Sequence, residues 1–274
     1  MDALFRKLPL FKGKQRLARL LLKKDLANGK DISVKGRFGS SYLLPNLIEN
    51  VSLEIFINGI YEKATSDFFV KRLAPGGVFL DLGANIGAIS VPLYRQRKDI
   101  KIVCVEAAPW LFPYLQKNLE QNGFKDAVLV NKALFNTDNE EIDFYSPDEK
   151  FGKGSLSPTY TDKAVKVKTV RLDTLLHELR IDKVDTIKID VEGYEYHVFQ
   201  GAEKLLAGPD APDILFEFED WAENLAKQAP GSAQTYLLGK GYQLFRLDIR
   251  GQLHPLSQAL TKGSTMLLAT KRGA

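Results

Sequence analysis

The stretch VFLDLGANIGAIS, residues 78–90, decides how this chain is read. An apolar run ends in an acid, Asp81, and two glycines follow, Gly83 and Gly87, spaced G-x-x-x-G. Such a run closed by glycines is a buried strand turning into a helix, the opening unit of a nucleotide-binding α/β domain. Asp81, however, stands two residues before Gly83, where a phosphate-binding loop disfavours a carboxylate. The three-glycine G-x-G-x-x-G pattern of dinucleotide sites is also absent, because Ala84, Asn85 and Ile86 separate the glycines.

The same rhythm extends in both directions. Upstream, Tyr61, Thr65, Phe68, Phe69 and Leu73 share one helical face that Pro75-Gly76-Gly77 stops. Downstream, a helix runs from Ala88 to Gln96. The strand KIVCVE follows, then the helix WLFPYLQKNLEQNG closed by Gly123, and a third strand, AVLVNKAL. EEIDFYS and AVKVKTVRL then alternate as two β segments around the polar loop 147–162, an inserted hairpin. Long loops on a rigid sheet are usually functional. The helix LDTLLHELRI, the strand DTIKIDVEG, the helix YEYHVFQGAEKLLAG and the strand DILFEFED resume the alternation, and YQLFRLD and STMLLATK close it. Alternating helices and buried strands predict a doubly wound, mainly parallel α/β sheet. Residues 1–57 read as a basic arm with a small β-rich segment, and 58–274 as the main domain.

The net charge of +4 is uneven: residues 1–24 hold eight basic residues against Asp2, or +7, which leaves −3 for the rest. Leu17, Leu20 and Leu21 follow helical spacing there, so the arm either packs on its own domain or lies on an anionic membrane face. Nothing approaches the ~18 consecutive apolar residues of a membrane span, and no signal peptide is evident. The single cysteine, Cys104, lies in a predicted strand and reads as a buried small side chain. A cytoplasmic location, with peripheral contact at the inner membrane face as an option, is the expectation.

In sheets of this kind ligands bind beyond the carboxyl ends of the strands. Asp81, Glu106, Asp190 and Glu217 all fall there. At ~4 Å and an effective dielectric near ~20, one charge pair is on the order of 4 kcal/mol before desolvation, so this ring repels a diphosphate and favours a cation. S-adenosylmethionine offers an ammonium and a sulfonium, with a ribose diol for a second acid. Gly83 and Gly87 let the backbone approach it, and Glu106, 19 residues past Gly87, is placed to accept both ribose hydroxyls.

The segments GIYE, FLDLGANIG, VEAAP, NKALFN, GSLSP, TVRLDTLL and IKIDVEGYEYHVFQGAEKLL, spread over roughly residues 58–219, resemble the FkbM-type S-adenosylmethionine-dependent methyltransferases. The resemblance implies a class I, Rossmann-like methyltransferase sheet of seven strands with the last antiparallel. It also implies O-methylation, often of sugar hydroxyls in glycans or of natural products. One departure is VEAAP, which lacks the family's usual aromatic before the acid.

A hydroxyl acceptor must lose its proton, so a base belongs near the crevice. Lys188, Asp190 and Glu192 alternate onto one face if the strand continues, which makes Asp190 the candidate base with Glu192 beside it. Asp190 capping the next helix or pairing with Lys188 is the competing structural reading. Glu62, Ala84, Asn85, Asn131 and Ala133 are further cofactor-side candidates, and Ser155 and Glu217 are acceptor-side candidates. An Asp-x-Glu pair can hold a divalent metal, but no third ligand stands at matching spacing, so none is expected. His177, His197 and His254 show no mutual spacing. A nucleic-acid acceptor is not expected: no Pro-Pro occurs for an amino-methylating turn, and a body of −3 does not suit a polyanion. A non-catalytic binding module would show decay of Asp81, the glycines or Asp190, and all are intact.

Overall fold

A computed structural model of the protein describes residues 5, 8, 13–22, 26, 31–124, 126–147, 149–208 and 210–273. Its strands are β1 (Ile32–Lys35), β2 (Ser41–Leu44), β3 (Val78–Leu82), β4 (Lys101–Val105), β5 (Val128–Val130), β6 (Ala133–Leu134), β7 (Glu141–Tyr145), β8 (Ala164–Val170), β9 (Thr186–Ile189), β10 (Asp213–Glu219), β11 (Gln243–Leu247), β12 (Leu253–Leu256) and β13 (Ser264–Thr270). The main sheet runs β12-β11-β13-β10-β9-β3-β4-β5. Its centre is parallel, and β13 enters antiparallel between β10 and β11. This is the class I methyltransferase order with an eighth strand, β12, added at one edge by the hairpin after β11.

β3 shows why both faces are covered. Phe79 packs into one core cluster, while Leu80 and Leu82 pack into the other. Each fully buried side chain of this size stabilises by roughly 1.5–3 kcal/mol. The chain leaves β3 towards β4 and β5, then returns on the other side through β9 and β10, so the topological switch point lies between β3 and β9. The crevice beyond their carboxyl ends is the expected ligand position.

Three elements differ from their sequence reading. The stretch 50–57 alternates like a strand but forms a helix, Asn50–Asn58. Val51 and Ile55, one turn apart, face the main core, whereas Leu53 and Ile57 pack under Phe5, Ala18 and Leu22. Burial on two sides spaces its apolar residues two apart, which fits the β-rich reading of that segment although the chain is helical there. The single strand read at 127–134 divides at Asn131, with β5 staying in the main sheet and β6 joining β8 and β7 in a separate three-stranded sheet. That small sheet carries the inserted hairpin. The helix read at 194–208 breaks into Glu195–Gln200 and Glu203–Ala207.

The helix Lys14–Leu21 packs on the domain through Ala18, followed by Leu22. Its Leu17, Leu20 and Leu21 stay 37%, 71% and 60% exposed. Arg6, Lys7, Lys12, Lys23, Lys24 and Asp2, which complete the charge count of the arm, lie outside the described residues.

Candidate active site

The loop after β3 is held from both sides. Gly83 has φ +76°, and its N–H and that of Ala84 donate to the Val105 carbonyl at 2.9 Å each. A Cβ on Gly83 would lie 1.9 Å from the Asp190 carbonyl oxygen. A Cβ on Gly87 would lie 2.9 Å from Leu119 Cδ1, on the helix Phe112–Gln121. Neighbouring protein, rather than an approaching ligand, therefore excludes side chains at both glycines. Gly83 also borders a cleft. Gly87 does not line it.

Asn85, at φ +55°, donates its N–H to Glu106 Oε2 at 2.8 Å, and Ala108 N–H donates to Glu106 Oε1 at 2.8 Å. Burial pushes the Glu106 carboxyl up, against these two N–H donors. A carboxylate has about four acceptor sites, so two remain for the cleft that Glu106 lines.

Asp81 does not reach that cleft. It lies on the Phe79 face of β3, opposite Cys104 in register, and is fully buried. Ser90 Oγ donates to one carboxylate oxygen at 2.6 Å, and Lys188 Nζ stands 3.8 Å from the other. Asp81 lines neither cavity and supports the loop from below. Lys188 Nζ donates to the Gly83 carbonyl at 2.9 Å and lies 3.4 Å from Asp190 Oδ2. Burial works to lower the Lys188 pKa, but Asp190, Asp81 and Glu62 outweigh it and hold the ammonium charged.

A second cavity of about 310 Å³ shares Asn85, Gly152, Asp190 and Glu192 with the first. Here Asp190, Glu192 and Glu217 bring carboxylate oxygens within 4.8 Å of one another. The buried Oδ1 of Asp190 has no hydrogen-bond partner among the described residues. Glu192, at φ +53°, is gripped by Lys153 Nζ at 2.9 and 3.2 Å. Burial first and Asp190 second push Glu192 up to about 8, against Lys153. Burial, then Asp190, Glu219 and Glu192, push Glu217 up to about 10. These groups share protons as one unit rather than titrating separately. Three carboxylates at this separation form a donor set a divalent ion would accept, a grouping that sequence spacing did not reveal.

Other candidates lie further out. The Glu62 carboxylate accepts from Thr65 Oγ1 at 3.1 Å and lies outside both linings, although Tyr61 beside it lines the second cavity. Asn131 Nδ2 instead clasps the carbonyls of Glu106 and Ala107, at 2.8 and 3.2 Å, because the chain changes sheets at that residue. Ala133 lines the first cavity and Ala84 the second. Ser155 Oγ donates to the Glu192 carbonyl at 3.2 Å and so ties the inserted loop to the site from outside the cavities. Lys153 and Phe151 of that loop were missed, as were Lys132 and Tyr194. The loop's polarity and length marked the segment without marking which residues turn inward. His197 stacks on Phe135 at 4.8 Å, and His254 pairs with Asp248 at 3.0 Å, both away from the cavities.

The family described as Methyltransferase FkbM domain matches residues 81–244. Methyltransferase 1 of Beauveria bassiana (strain ARSEF 2860) is 28% identical over 178 residues, 56% of this chain and 67% of that protein. The 31-O-demethyl-FK506 methyltransferase FkbM of Streptomyces tacrolimicus is 26% identical over 160 residues, 48% of this chain and 62% of that one. Among solved structures, a precorrin-6y C5,15-methyltransferase from Geobacter metallireducens GS-15 aligns with a TM-score of 0.44 and 13% identity, covering 77% of this chain and 87% of that one. Likeness at that level carries no argument. The match over residues 81–244, more than half of the sequence, does: the chain belongs to the FkbM methyltransferase family, whose methyl donor is S-adenosylmethionine.

Proposed function

We propose that the protein O-methylates a hydroxyl of a sugar, a glycan or a natural product. The observation that carries this reading is the Asp190–Glu192–Glu217 cluster, in a cavity that shares four residues with the cleft beside Glu106. Asp190 Oδ1, buried and unpartnered, is an acceptor waiting for a donor, and an incoming hydroxyl is such a donor. The S. tacrolimicus relative acts on an oxygen, by its name, which supports oxygen here.

S-adenosylmethionine supplies a methyl group on a sulfonium, and the residues present suit it. Glu106 keeps acceptor sites for a diol, Asn85 and Gly83 shape the loop beside it, and the acids nearby favour a cation. The chain's own work is to orient the acceptor hydroxyl against Asp190, take its proton there and keep water out. Lys188 holds Asp190 in place, and Lys153 holds Glu192.

Glu106→Ala is expected to weaken S-adenosylmethionine binding by roughly 1–3 kcal/mol, the cost of stranding buried hydroxyls. Calorimetric titration measures it, and unchanged affinity in a folded variant removes Glu106 from the cofactor site. The pH profile tests the acceptor side. Glu192, beside the proposed base Asp190, is raised to about 8, so if the acceptor's proton passes into this pair, methyl transfer should climb with pH from ordinary carboxylate values towards about 8. An acid limb near ~4 would show that the cluster's shared protons do not govern the reaction.

We also infer that the arm gives peripheral contact with an anionic membrane. Its support is the exposed Leu17, Leu20 and Leu21 within a segment of charge +7. The protein should sediment with anionic vesicles at low salt, and Leu20→Ser with Leu21→Ser should release it. Absence of vesicle binding by the full chain ends this idea.

A further inference from the structure

A groove of about 390 Å³ lies outside both cavities of the active site, between the helix Lys63–Arg72 and the turn joining β11 to β12. The helix turns one continuous face to it. Lys63, Asp67 and Lys71 follow at steps of four, with Ala64, Phe68 and Arg72 beside them. Opposite, the turn supplies Ile249, which is 96% exposed, and Arg250. Four cations thus face one acid.

Their partners separate them into two pairs. Lys63 is paired with Asp67. Arg72 is occupied by Asp213 at 2.6 Å and the Gly273 carbonyl at 2.7 Å. The side chains of Lys71 and Arg250 have no partner among the described residues, yet they lie on opposite walls of the same groove. Two unanswered cations on facing walls suit a compact anion with several acceptor oxygens. A guanidinium fork opposite an ammonium is the arrangement that grips phosphoryl groups. A long polyanion is disfavoured, since the chain beyond residue 24 is net negative.

Position adds the second argument. Lys63 follows Tyr61 by two residues, and Tyr61 lines the proposed acceptor cavity. Two residues span at most ~7 Å, so the groove begins close to where that cavity ends. From there it follows the helix for about 13 Å, and Lys71, eight residues on, stands about 12 Å beyond Lys63, so an acceptor held at Lys71 has to span that length to reach the cavity. We propose that this groove binds a phosphoryl group carried by the methyl acceptor, so that the acceptor is a phosphate ester whose hydroxyl reaches Asp190. This assignment rests on the reading of the second cavity as the acceptor site. The phosphoryl group is held and not transferred. Phe68 and Ile249 give the groove an apolar side as well, so the ester is either soluble or the headgroup of a lipid.

The test uses the full chain and inorganic pyrophosphate as probe, titrated calorimetrically at an ionic strength of about 0.15 M. Saturable binding is expected, with a loss of about tenfold or more in Lys71→Gln/Arg250→Gln. The S-adenosylmethionine affinity of that variant should equal the wild-type value, which shows that it is folded. Pyrophosphate binding that is absent, or equal in both proteins, overturns the groove. Phosphatidylcholine vesicles with and without phosphatidic acid separate the sources. Sedimentation that needs phosphatidic acid together with Lys71 and Arg250 assigns a lipid phosphate, and pyrophosphate binding without it assigns a soluble ester. Methyl transfer scored in parallel on sugars with and without a phosphate ester keeps the two readings apart: transfer with no pyrophosphate binding removes the groove alone, and pyrophosphate binding with no transfer to either kind of acceptor removes the reaction alone.

Discussion

Asp190→Asn should retain S-adenosylmethionine affinity and lose methyl transfer by ~10²–10⁴-fold, the usual cost of removing a general base. The amide keeps the shape of the side chain but cannot accept a proton. Local structure should survive the change, because Lys188 retains its bond to the Gly83 carbonyl and the nearby Asp81. Asp190 differs from Asp81, which also has an unpartnered oxygen, in lining both cavities and in lying beside Glu192 and Glu217, and that position makes the case for chemistry over scaffolding. Single-turnover transfer of a labelled methyl group, with cofactor affinity measured alongside, decides it. Turnover within a factor of a few of wild type would make Asp190 a structural partner of Lys188, and positioning alone would then drive the reaction.

Gly83→Ala should be the most damaging single change in the loop. Its Cβ would stand 1.9 Å from a backbone oxygen of β9's extension, at φ +76°. Backbone cannot step aside as a flexible side chain can, so either the loop or the carboxyl end of β9 must shift. A loss of about 4 kcal/mol or more in denaturant unfolding is expected, the range reserved for core clashes and strain. Gly76→Ala is the matched control. It has φ +71° with nothing within 4 Å of its would-be Cβ, so it carries only the left-handed backbone cost of about 1–2 kcal/mol. Equal losses in the two variants would show that contact with Asp190 is unimportant.

The sheet was legible because its strands are buried on both faces. Runs such as VFLDL and KIVCV carry that burial in their composition, and the glycines after β3 mark the turn. Glu106 and Asp190 line the cavities because, in this fold, the strand ends border the crevice, where the sequence reading put both. Asp81, put there by the same rule, lines neither cavity. It sits one residue short of the strand's end, on the face covered by the helix Ser90–Gln96, so its carboxylate is enclosed rather than presented. The meeting of Glu217 with Asp190 and Glu192 depends on β9 and β10 being neighbours in register, Phe216 opposite Ile189, and no local pattern encodes a distance across strands. Lys153 was hidden for a related reason. A loop of 16 residues specifies its inward side chains only after it has packed, here through Phe151 beside Trp110.

The added strand β12 also bears on how the molecule behaves among its own copies. Without it the sheet would end on β11, a five-residue edge that carries Leu244, Phe245 and Leu247. An open edge of that kind is a template for strand addition between molecules. β12 occupies it with only four residues, and Pro255, paired opposite Phe245, has no N–H to offer a newcomer. At the far edge β5 is three residues long. Both margins of the main sheet are thus short, which disfavours strand addition between molecules at either end of it.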